Sequence, residues 1–294
     1  MNPKAEQPSG FTVRLFLPNG DPEGVKVIEK SNWTGLGLVI PRSLYSRERD
    51  RSPLHQGAGV YALVGNDDES SFPRLYIGEG DPVGPRLDEH ANKKDFWTHA
   101  VIFTSKDQNL NKAHVQYLEH RLVSLAQTAK RSILDNGNTP QPPSLSETDI
   151  AEVEGFLSNM LLYFPVLGYR LFEVIESPHR GTTDLFLNEK KVKAQGYESS
   201  GGFIVRKGSQ ASKKETPSIL PYIKTRRHAL LQQNVLVDRG DFYELTQDYE
   251  FNSPSMASDV ILGASSNGRT SWKTKDGKTL KSIQDAEISS APKS

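Results

Sequence analysis

Short runs rich in apolar, β-branched and aromatic residues recur in the first half of the chain, a pattern typical of β-strands. Two such stretches cover residues 59–65 and 75–78, and the polar connection between them, residues 66–71, offers little that could pack in a core. A third stretch covers residues 97–103. The pattern therefore predicts a hairpin with a long loop, followed by a third strand.

Helical spacing of apolar residues follows these strands. A helix opened by a proline is predicted over residues 85–92, and a longer helix over residues 111–131, where Val115, Leu118 and Leu122 share one face. Together these elements predict an α+β domain with a small mixed or antiparallel three-stranded sheet and flanking helices.

The length of the chain predicts about two domains. Short strand patterns and helical runs also alternate in the C-terminal part, which predicts a second α+β domain there. The predicted segments are a disordered start (1–10), a small β unit (11–52), the domain with the three-stranded sheet (53–140), a helical connector (141–176), the C-terminal α+β domain (177–282) and a disordered tail (283–294).

The composition of the chain excludes several kinds of chemical site. The chain has 294 residues, 36 basic against 36 acidic side chains, and no cysteine, which excludes disulfides, zinc–thiolate sites and a cysteine nucleophile. A metal site must use carboxylate, imidazole and water, which favours Mg²⁺ or Mn²⁺. No run approaches the roughly 18 apolar residues of a membrane helix, and the N-terminus lacks the pattern of a secretory signal, so we expect a cytoplasmic protein without membrane partners.

Several chemically capable side chains fall on the predicted elements. Tyr61 and Tyr76 lie on the hairpin strands, and Arg86 and His90 have the spacing of one helix face. Glu119 lies beside the apolar stripe of the longer helix. Each residue also has an ordinary structural interpretation, because tyrosines pack across strands and charged residues on helices form surface ion pairs or face solvent. No member of the set is decisive alone.

Taken together, these residues resemble the GIY-YIG nuclease family. Residues 59–61, Gly-Val-Tyr, and 76–78, Tyr-Ile-Gly, are similar to its two signature strands, with Val60 in place of the middle isoleucine. In that family an arginine follows on the next helix and a helical glutamate comes later, and Arg86 and Glu119 match these positions.

The resemblance implies a role for each residue. Glu119 would hold a single divalent metal ion, Mg²⁺ or Mn²⁺, against the scissile phosphate, and Arg86 would clamp a phosphate oxygen with its planar guanidinium. Tyr61 would act as general base or orient the water. Because an ordinary tyrosine pKa near 10 is too high for this work, His90 would accept the proton. Tyr76 would contact the phosphate or position the water.

An asparagine often closes the set in this family. Asn136 and Asn138 both follow the longer helix, and either could supply it, with Asn136 counted among the candidate catalytic residues.

Basic residues concentrate in residues 189–239, where eleven Lys and Arg stand against four Asp and Glu. The local balance is therefore +7, although the whole chain is neutral. Such a stretch is either an ordinary solvated face or a surface that follows phosphates, and the second interpretation predicts salt-dependent binding.

The C-terminal part resembles a second known module. Residues 249–258 and 267–273 are similar to the uncharacterised domain that commonly follows GIY-YIG nucleases and resembles modules of some bacterial methylases and restriction proteins, for which modified-DNA binding has been proposed. Arg269 stands where that family often has a tryptophan, which weakens the idea of an aromatic cage. We therefore expect Phe251 and Trp272 to lie in the core.

The two resemblances imply a metal-dependent endonuclease that hydrolyses phosphodiester bonds in nucleic acid, with DNA as the expected substrate and genome defence, either restriction or phage defence, as the expected setting. An RNA-cleaving effector, a catalytically silent nucleic-acid-binding module and a protein–protein scaffold are the alternatives. One active site cuts one strand, so full cleavage of a duplex would need a homodimer or sequential nicking.

Overall fold

The computed structural model describes residues 10–67, 72–173, 175, 182–189, 191–217 and 219–290. The chain divides into two compact units: unit 1 comprises residues 1–67 and 73–173, and unit 2 comprises residues 68–72 and 174–294. Both contain helices and sheets, which confirms the predicted α+β class.

Unit 1 is built on one seven-stranded sheet. Its strands are β1 (Val13–Phe16), β2 (Lys26–Lys30), β3 (Gly35–Pro41), β4 (Gly59–Asn66), β5 (Pro73–Gly80), β6 (Trp97–Ser105) and β7 (Ile133–Leu134). The spatial order is β1-β2-β3-β6-β4-β5-β7, and all neighbours are antiparallel except β5 and β7, which are parallel.

The three predicted central strands are β4, β5 and β6, and the sheet around them is larger than predicted. The strands of residues 11–52 extend it, because β3 pairs with β6 at seven positions, from Gly35 opposite Ser105 to Pro41 opposite His99. The structure therefore corrects the three-stranded sheet to seven strands and places the predicted small β unit within the same sheet.

Helices cover both faces of this sheet. They are α1 (Arg42–Glu48), α2 (Gly84–Lys93), α3 (Lys112–Ala129), α4 (Glu147–Leu161) and α5 (Tyr163–Val166), with a short 3₁₀ turn at Ser52–Leu54. Residues of the predicted helical connector belong to unit 1, since Val153, Phe156, Leu157 and Met160 of α4 lie in its core.

Successive side chains of β4 pack in two different hydrophobic cores, one on each face of the sheet. Val60 and Ala62 pack in the core that contains α3 and α4, whereas Tyr61 and Leu63 pack on the opposite face, in the core that contains Leu87 of α2. This alternation follows from the two-residue period of a strand. It places the two tyrosines of interest on the α2 face of the sheet.

Unit 2 contains two small sheets. Their strands are β8 (Leu185–Glu189), β9 (Val192–Ser199), β10 (Gly202–Val205), β11 (Gln210–Ser212), β12 (Leu236–Asp238), β13 (Phe242–Leu245) and β14 (Tyr249–Phe251). One sheet has the order β14-β10-β9-β8 and the other β11-β13-β12. The helices are α6 (Pro221–Gln232), α7 (Pro254–Leu262), α8 (Gly268–Ser271) and α9 (Leu280–Ser290).

The core of unit 2 includes both aromatic residues that the sequence placed there. Trp272 is fully buried with its ring centroid 4.5 Å from that of Phe203, and its indole N–H donates to the Pro254 carbonyl at 3.0 Å. Phe251 is buried as well. The expectation that these residues are core is confirmed, and Trp272 is not available for an aromatic cage.

Helix α9 corrects the predicted disordered tail. The structure is helical through Ser290, while residues 291–294, like residues 1–9 of the predicted disordered start, lie outside the described residues. Leu280 is buried at the start of α9, and Arg269 donates to Gln284 at 2.7 Å and to Asp285 at 3.1 Å. These contacts hold a segment whose own composition is too polar to predict order.

Within the described part of the chain, no helix combines the length and the apolar character needed to cross a membrane.

Candidate active site

The candidate residues gather around the outer edge of β5. Strand β7 pairs with β5 only at Arg74 and Leu75, so within the described residues the part of β5 from Tyr76 onward has no strand on that side. Helix α2 packs in the core on one face of β5, and α3 packs in the core on the other. The site is thus an open strand edge flanked by two helices.

Tyr61, Tyr76 and His90 form a compact aromatic cluster on the α2 face. The Tyr61 hydroxyl lies 2.9 Å from Nε2 of His90, and both side chains are buried. The Tyr76 ring centroid is 4.6 Å from that of His90 and 6.4 Å from that of Tyr61. The i, i+4 spacing predicted from the sequence places Arg86 and His90 on α2 as expected.

A glycine is required opposite Tyr61. Gly78 pairs with Tyr61 across the β4–β5 ladder, and a Cβ on Gly78 would lie 2.4 Å from the Tyr61 hydroxyl oxygen and 2.5 Å from Cζ. Real Cβ atoms do not approach other atoms this closely. The second motif therefore ends in glycine because the tyrosine of the first motif occupies the space above it.

Both partners of the Tyr61–His90 contact are uncharged at neutral pH. Burial, together with the positive charges of Lys94 and Arg86, lowers the pKa of His90 to about 4. Burial and the neighbouring Tyr76 raise the pKa of Tyr61 above its ordinary value, against the opposing effect of Arg86. A buried group resists ionisation because its charged form loses hydration. Because both groups are neutral, a proton can cross the cluster only if Tyr61 gives its own proton to His90 as it accepts another.

Arg86 lies in the first turn of α2 with half of its side chain exposed. It donates to Glu89 at 2.9 Å, and its charge opposes the rise in the pKa of Tyr61, Tyr76 and Glu119, each of which stays above its ordinary value. An exposed guanidinium suits an anion, because its planar donor groups match the oxygens of a phosphate.

Glu119 lies on α3 beside a second carboxylate. Burial, and then the negative charge of Glu79, raise the pKa of Glu119 to about 7, although Lys112 and Arg86 oppose the shift. Glu79, on β5, accepts two hydrogen bonds from Lys112 at 2.7 and 2.6 Å. The Glu119 carboxylate is therefore an unstable anion at neutral pH, and a cation placed on it would remove that instability.

These carboxylates fit a metal ion that keeps most of its water. The described residues include no group of three or more His, Asp or Glu side chains around one point. Mg²⁺ commonly binds through one or two carboxylates, with water and phosphate oxygens as its other ligands. Glu119, with Glu79 as its neighbour, is the part of this site that would hold such an ion.

Asn136 supports the edge of β5 by main-chain hydrogen bonds. Its amide oxygen accepts from the Ile77 N–H at 2.9 Å and its amide nitrogen donates to the Ile77 carbonyl at 2.7 Å. Asp135 precedes it and donates its N–H to the Leu75 carbonyl at 2.7 Å. Asn138 is exposed. Of the two asparagines, Asn136 is therefore the one attached to the site, and it acts on the strand.

Sequence reasoning missed Lys94. Its ammonium lies 4.3 Å from the centroid of the Tyr76 ring and donates to Asp135 at 2.5 Å, while Arg74 donates to the same carboxylate at 2.9 Å. Lys94 follows His90 by four residues, as His90 follows Arg86, so the same helical spacing could have found it. Glu79, directly after the second motif, was also missed.

Part of the basic stretch of residues 189–239 serves the fold of unit 2. Arg227 is buried, and it donates to Glu215 at 3.0 Å and to the Ser212 and Val260 carbonyls. Three other basic residues form ion pairs within the unit: Arg206 with Asp184, Lys213 with Asp238 and Arg239 with Glu244. Lys190 lies outside the described residues. Only part of the stretch is therefore available to a surface that follows phosphates.

Residues 185–284, most of unit 2, match the family described as Domain of unknown function (DUF4357). The chain matches no curated protein and no solved structure. The prediction of an uncharacterised C-terminal domain is therefore confirmed as a DUF4357 domain at residues 185–284. The candidate active site lies outside the matched residues, so its nuclease interpretation stays a prediction.

Proposed function

We propose that the protein is a divalent-metal-dependent endonuclease that hydrolyses phosphodiester bonds in nucleic acid, with DNA as the substrate. The observation that carries the proposal is the convergence at one strand edge of a buried Tyr61–His90 pair, a half-exposed Arg86 and a carboxylate, Glu119, with a raised pKa. General acid–base chemistry, charge stabilisation and a metal ligand are what phosphodiester hydrolysis requires.

In this proposal Arg86 binds a non-bridging oxygen of the scissile phosphate. In the tautomer with its proton on Nδ1, His90 accepts from the Tyr61 hydroxyl, whose oxygen is then free to take a proton from the attacking water. A bound phosphate would offset the positive charge of Arg86, one of the causes of the lowered His90 pKa, and so make His90 a better acceptor. Tyr76 positions the water, and Asn136 keeps the strand in place.

Glu119 would hold a divalent metal ion, which would supply positive charge to the phosphate and to its leaving oxygen. This role suits the carboxylate pair, because an ionised Glu119 beside Glu79 is unfavourable without a cation. Unit 2 would hold the nucleic acid, and the proposed setting is restriction or another form of defence against foreign DNA.

The test compares wild-type protein with Glu119→Gln and Arg86→Lys on plasmid DNA, single-stranded DNA and structured RNA, with Mg²⁺, with Mn²⁺ and with chelator. We expect metal-dependent cleavage of DNA that falls by at least about 10³-fold in Glu119→Gln. Glu152→Gln, at an exposed position on α4, is the matched control and should cleave normally. Cleavage of RNA alone would support the RNA-cleaving effector. Absence of cleavage with salt-sensitive binding retained would favour the silent binding module.

A further inference from the structure

The outward face of β8 and β9 carries an aromatic ring. Leu185 and Leu187 are buried, so Phe186 between them lies on the other face of the strand, where it is partly exposed. Phe186 pairs with Gln195 of β9, and the exposed Lys193, two residues earlier on β9, lies on the same face. One face of the ladder thus combines a ring and an ammonium group.

A neighbouring segment adds two more cations to this face. Phe186 donates its N–H to the Lys273 carbonyl at 2.6 Å, and Lys273 donates its N–H to the Phe186 carbonyl at 2.9 Å. Residues paired in this way in an antiparallel bridge present their side chains on the same face. Lys275 follows, with its ammonium 5.8 Å from the Phe186 ring centroid. Lys273 and Lys275 are exposed.

The lysines of this face are not held in close ion pairs within the described residues. Across the described part of the chain, none of Lys193, Lys273 and Lys275 forms an ion pair within 4 Å. The neighbouring carboxylate, Asp184, is occupied by Arg206 at 2.7 Å. We call Phe186, Lys193, Lys273 and Lys275 the Phe186 face. An aromatic ring with flanking cations is complementary to a polyanion that carries flat rings.

We propose that the Phe186 face binds single-stranded nucleic acid, with an unpaired base stacked on Phe186 and the three lysines on adjacent phosphates. This inference rests on the proposed function, since it names the surface by which the DUF4357 domain would hold the substrate of the nuclease. Stacking of a base on an aromatic side chain tolerates any sequence, and lysines next to it add affinity that falls with salt.

The experiment measures binding of a fluorescein-labelled oligothymidylate of 20 nucleotides to the full chain by fluorescence anisotropy, from 50 to 300 mM NaCl. Every variant carries Glu119→Gln so that the strand stays intact. Phe186→Leu should weaken binding about five- to hundredfold without changing the slope of log K against log salt. Lys273→Gln with Lys275→Gln should lower that slope by about 1.4, from roughly 0.7 per phosphate contact.

Controls on the same unit are Lys224→Gln on α6 and Lys281→Gln on α9, both exposed lysines outside the Phe186 face, which should change neither affinity nor slope by more than the measurement error. Thermal unfolding establishes that each variant is folded. Wild-type affinity in Phe186→Leu, or equal slope losses in the control variants, would overturn the proposal. So would tighter binding of a matching duplex that is indifferent to Phe186.

The outcome is independent of catalysis. Wild-type protein that binds through Phe186 but cleaves nothing would refute the nuclease and keep the surface. Cleavage lost in Glu119→Gln, with binding unaffected by Phe186→Leu, would refute the surface and keep the nuclease.

Discussion

At Gly78, the missing side chain leaves the space in which the Tyr61 hydroxyl lies. Gly78→Ala would place a methyl group 2.4 Å from that oxygen, so Tyr61 would have to move away from His90. Overpacking of this kind costs about 1–3 kcal/mol. We expect a lower midpoint of denaturant unfolding and a cleavage rate reduced by at least about tenfold, since a hydrogen bond of the relay is lost.

Gly155, on the exposed side of α4, is the matched control. A Cβ there meets no atom within 4 Å, and Gly155→Ala in a helix should stabilise the protein by about 0.5–1 kcal/mol. Equal effects of the two alanine substitutions would show that the space opposite Tyr61 is not constrained.

Glu119 should limit stability at alkaline pH. Its pKa is about 7 in the fold against an ordinary 4.5, so the group stabilises the fold below pH 4.5 and loses this contribution as the pH rises through 7. Glu119→Gln cannot ionise, and we expect it to melt about 2–4 °C above wild type at pH 8 in chelator, which corresponds to about 1 kcal/mol after allowance for partial exposure.

The difference between Glu119→Gln and wild type should disappear near pH 5, and Mg²⁺ should raise the melting temperature of wild type but not of the variant. Calorimetry at three pH values measures both effects. A variant less stable than wild type at pH 8 would show that burial and Glu79 do not destabilise the ionised carboxylate.

At the scale of elements, the sequence predicted the strands and helices that have a clear local pattern, but it did not predict how distant strands pair. The strands at residues 59–65 and 97–103 and the helix at residues 111–131 appear within a few residues of the predicted bounds, because their periodicity is a property of the segment itself. The addition of β1–β3 to the sheet depends on the pairing of β3 with β6, which is distant in sequence and leaves no local signal. Helix α9 depends on Arg269 in the same way.

The candidate site could likewise be predicted only in part. Spacing on α2 gave Arg86 and His90, and the strand motifs gave Tyr61 and Tyr76, which the structure brings together. The position of Asn136 on Ile77 could not be predicted, because it depends on the path of the chain after α3.

Cations in α2 and directly after it add to the effect of burial in lowering the pKa of His90. Lys94 stands one turn after His90 and lowers the His90 pKa, so Lys94→Met should raise that pKa from about 4 towards its ordinary value. Because the proposed relay needs neutral His90, the acid limb of the pH–rate profile should move to higher pH.

The titration of the His90 ring, followed by NMR, reports the same shift without catalysis. Lys93→Met is the control, because Lys93 is an exposed residue of α2 paired with Glu89, and its charge contributes less than that of Lys94 to the lowered pKa of His90. A His90 pKa that is equally unmoved in both variants would refute the role of Lys94.

At the scale of the whole molecule, one candidate active site serves one strand at a time. If the chain acts as a monomer, supercoiled plasmid should first become nicked circles, and linear DNA should appear only after a lag. If a homodimer acts, linear DNA should form without that lag, and the cleavage rate should rise more steeply than linearly with protein concentration. Gel electrophoresis of a time course, with light scattering of the same samples, separates the two.

The amide of Asn136 has a consequence for how copies of this protein meet one another. An exposed strand edge is a template on which the sheet of another molecule can grow. Asn136 occupies both the N–H and the carbonyl of Ile77, so at that position β5 offers an incoming strand nothing to pair with. A side chain can block sheet growth while filling far less space than a covering strand. The strand edge at the candidate active site can thus stay open to a phosphate chain and still be protected from polymerisation.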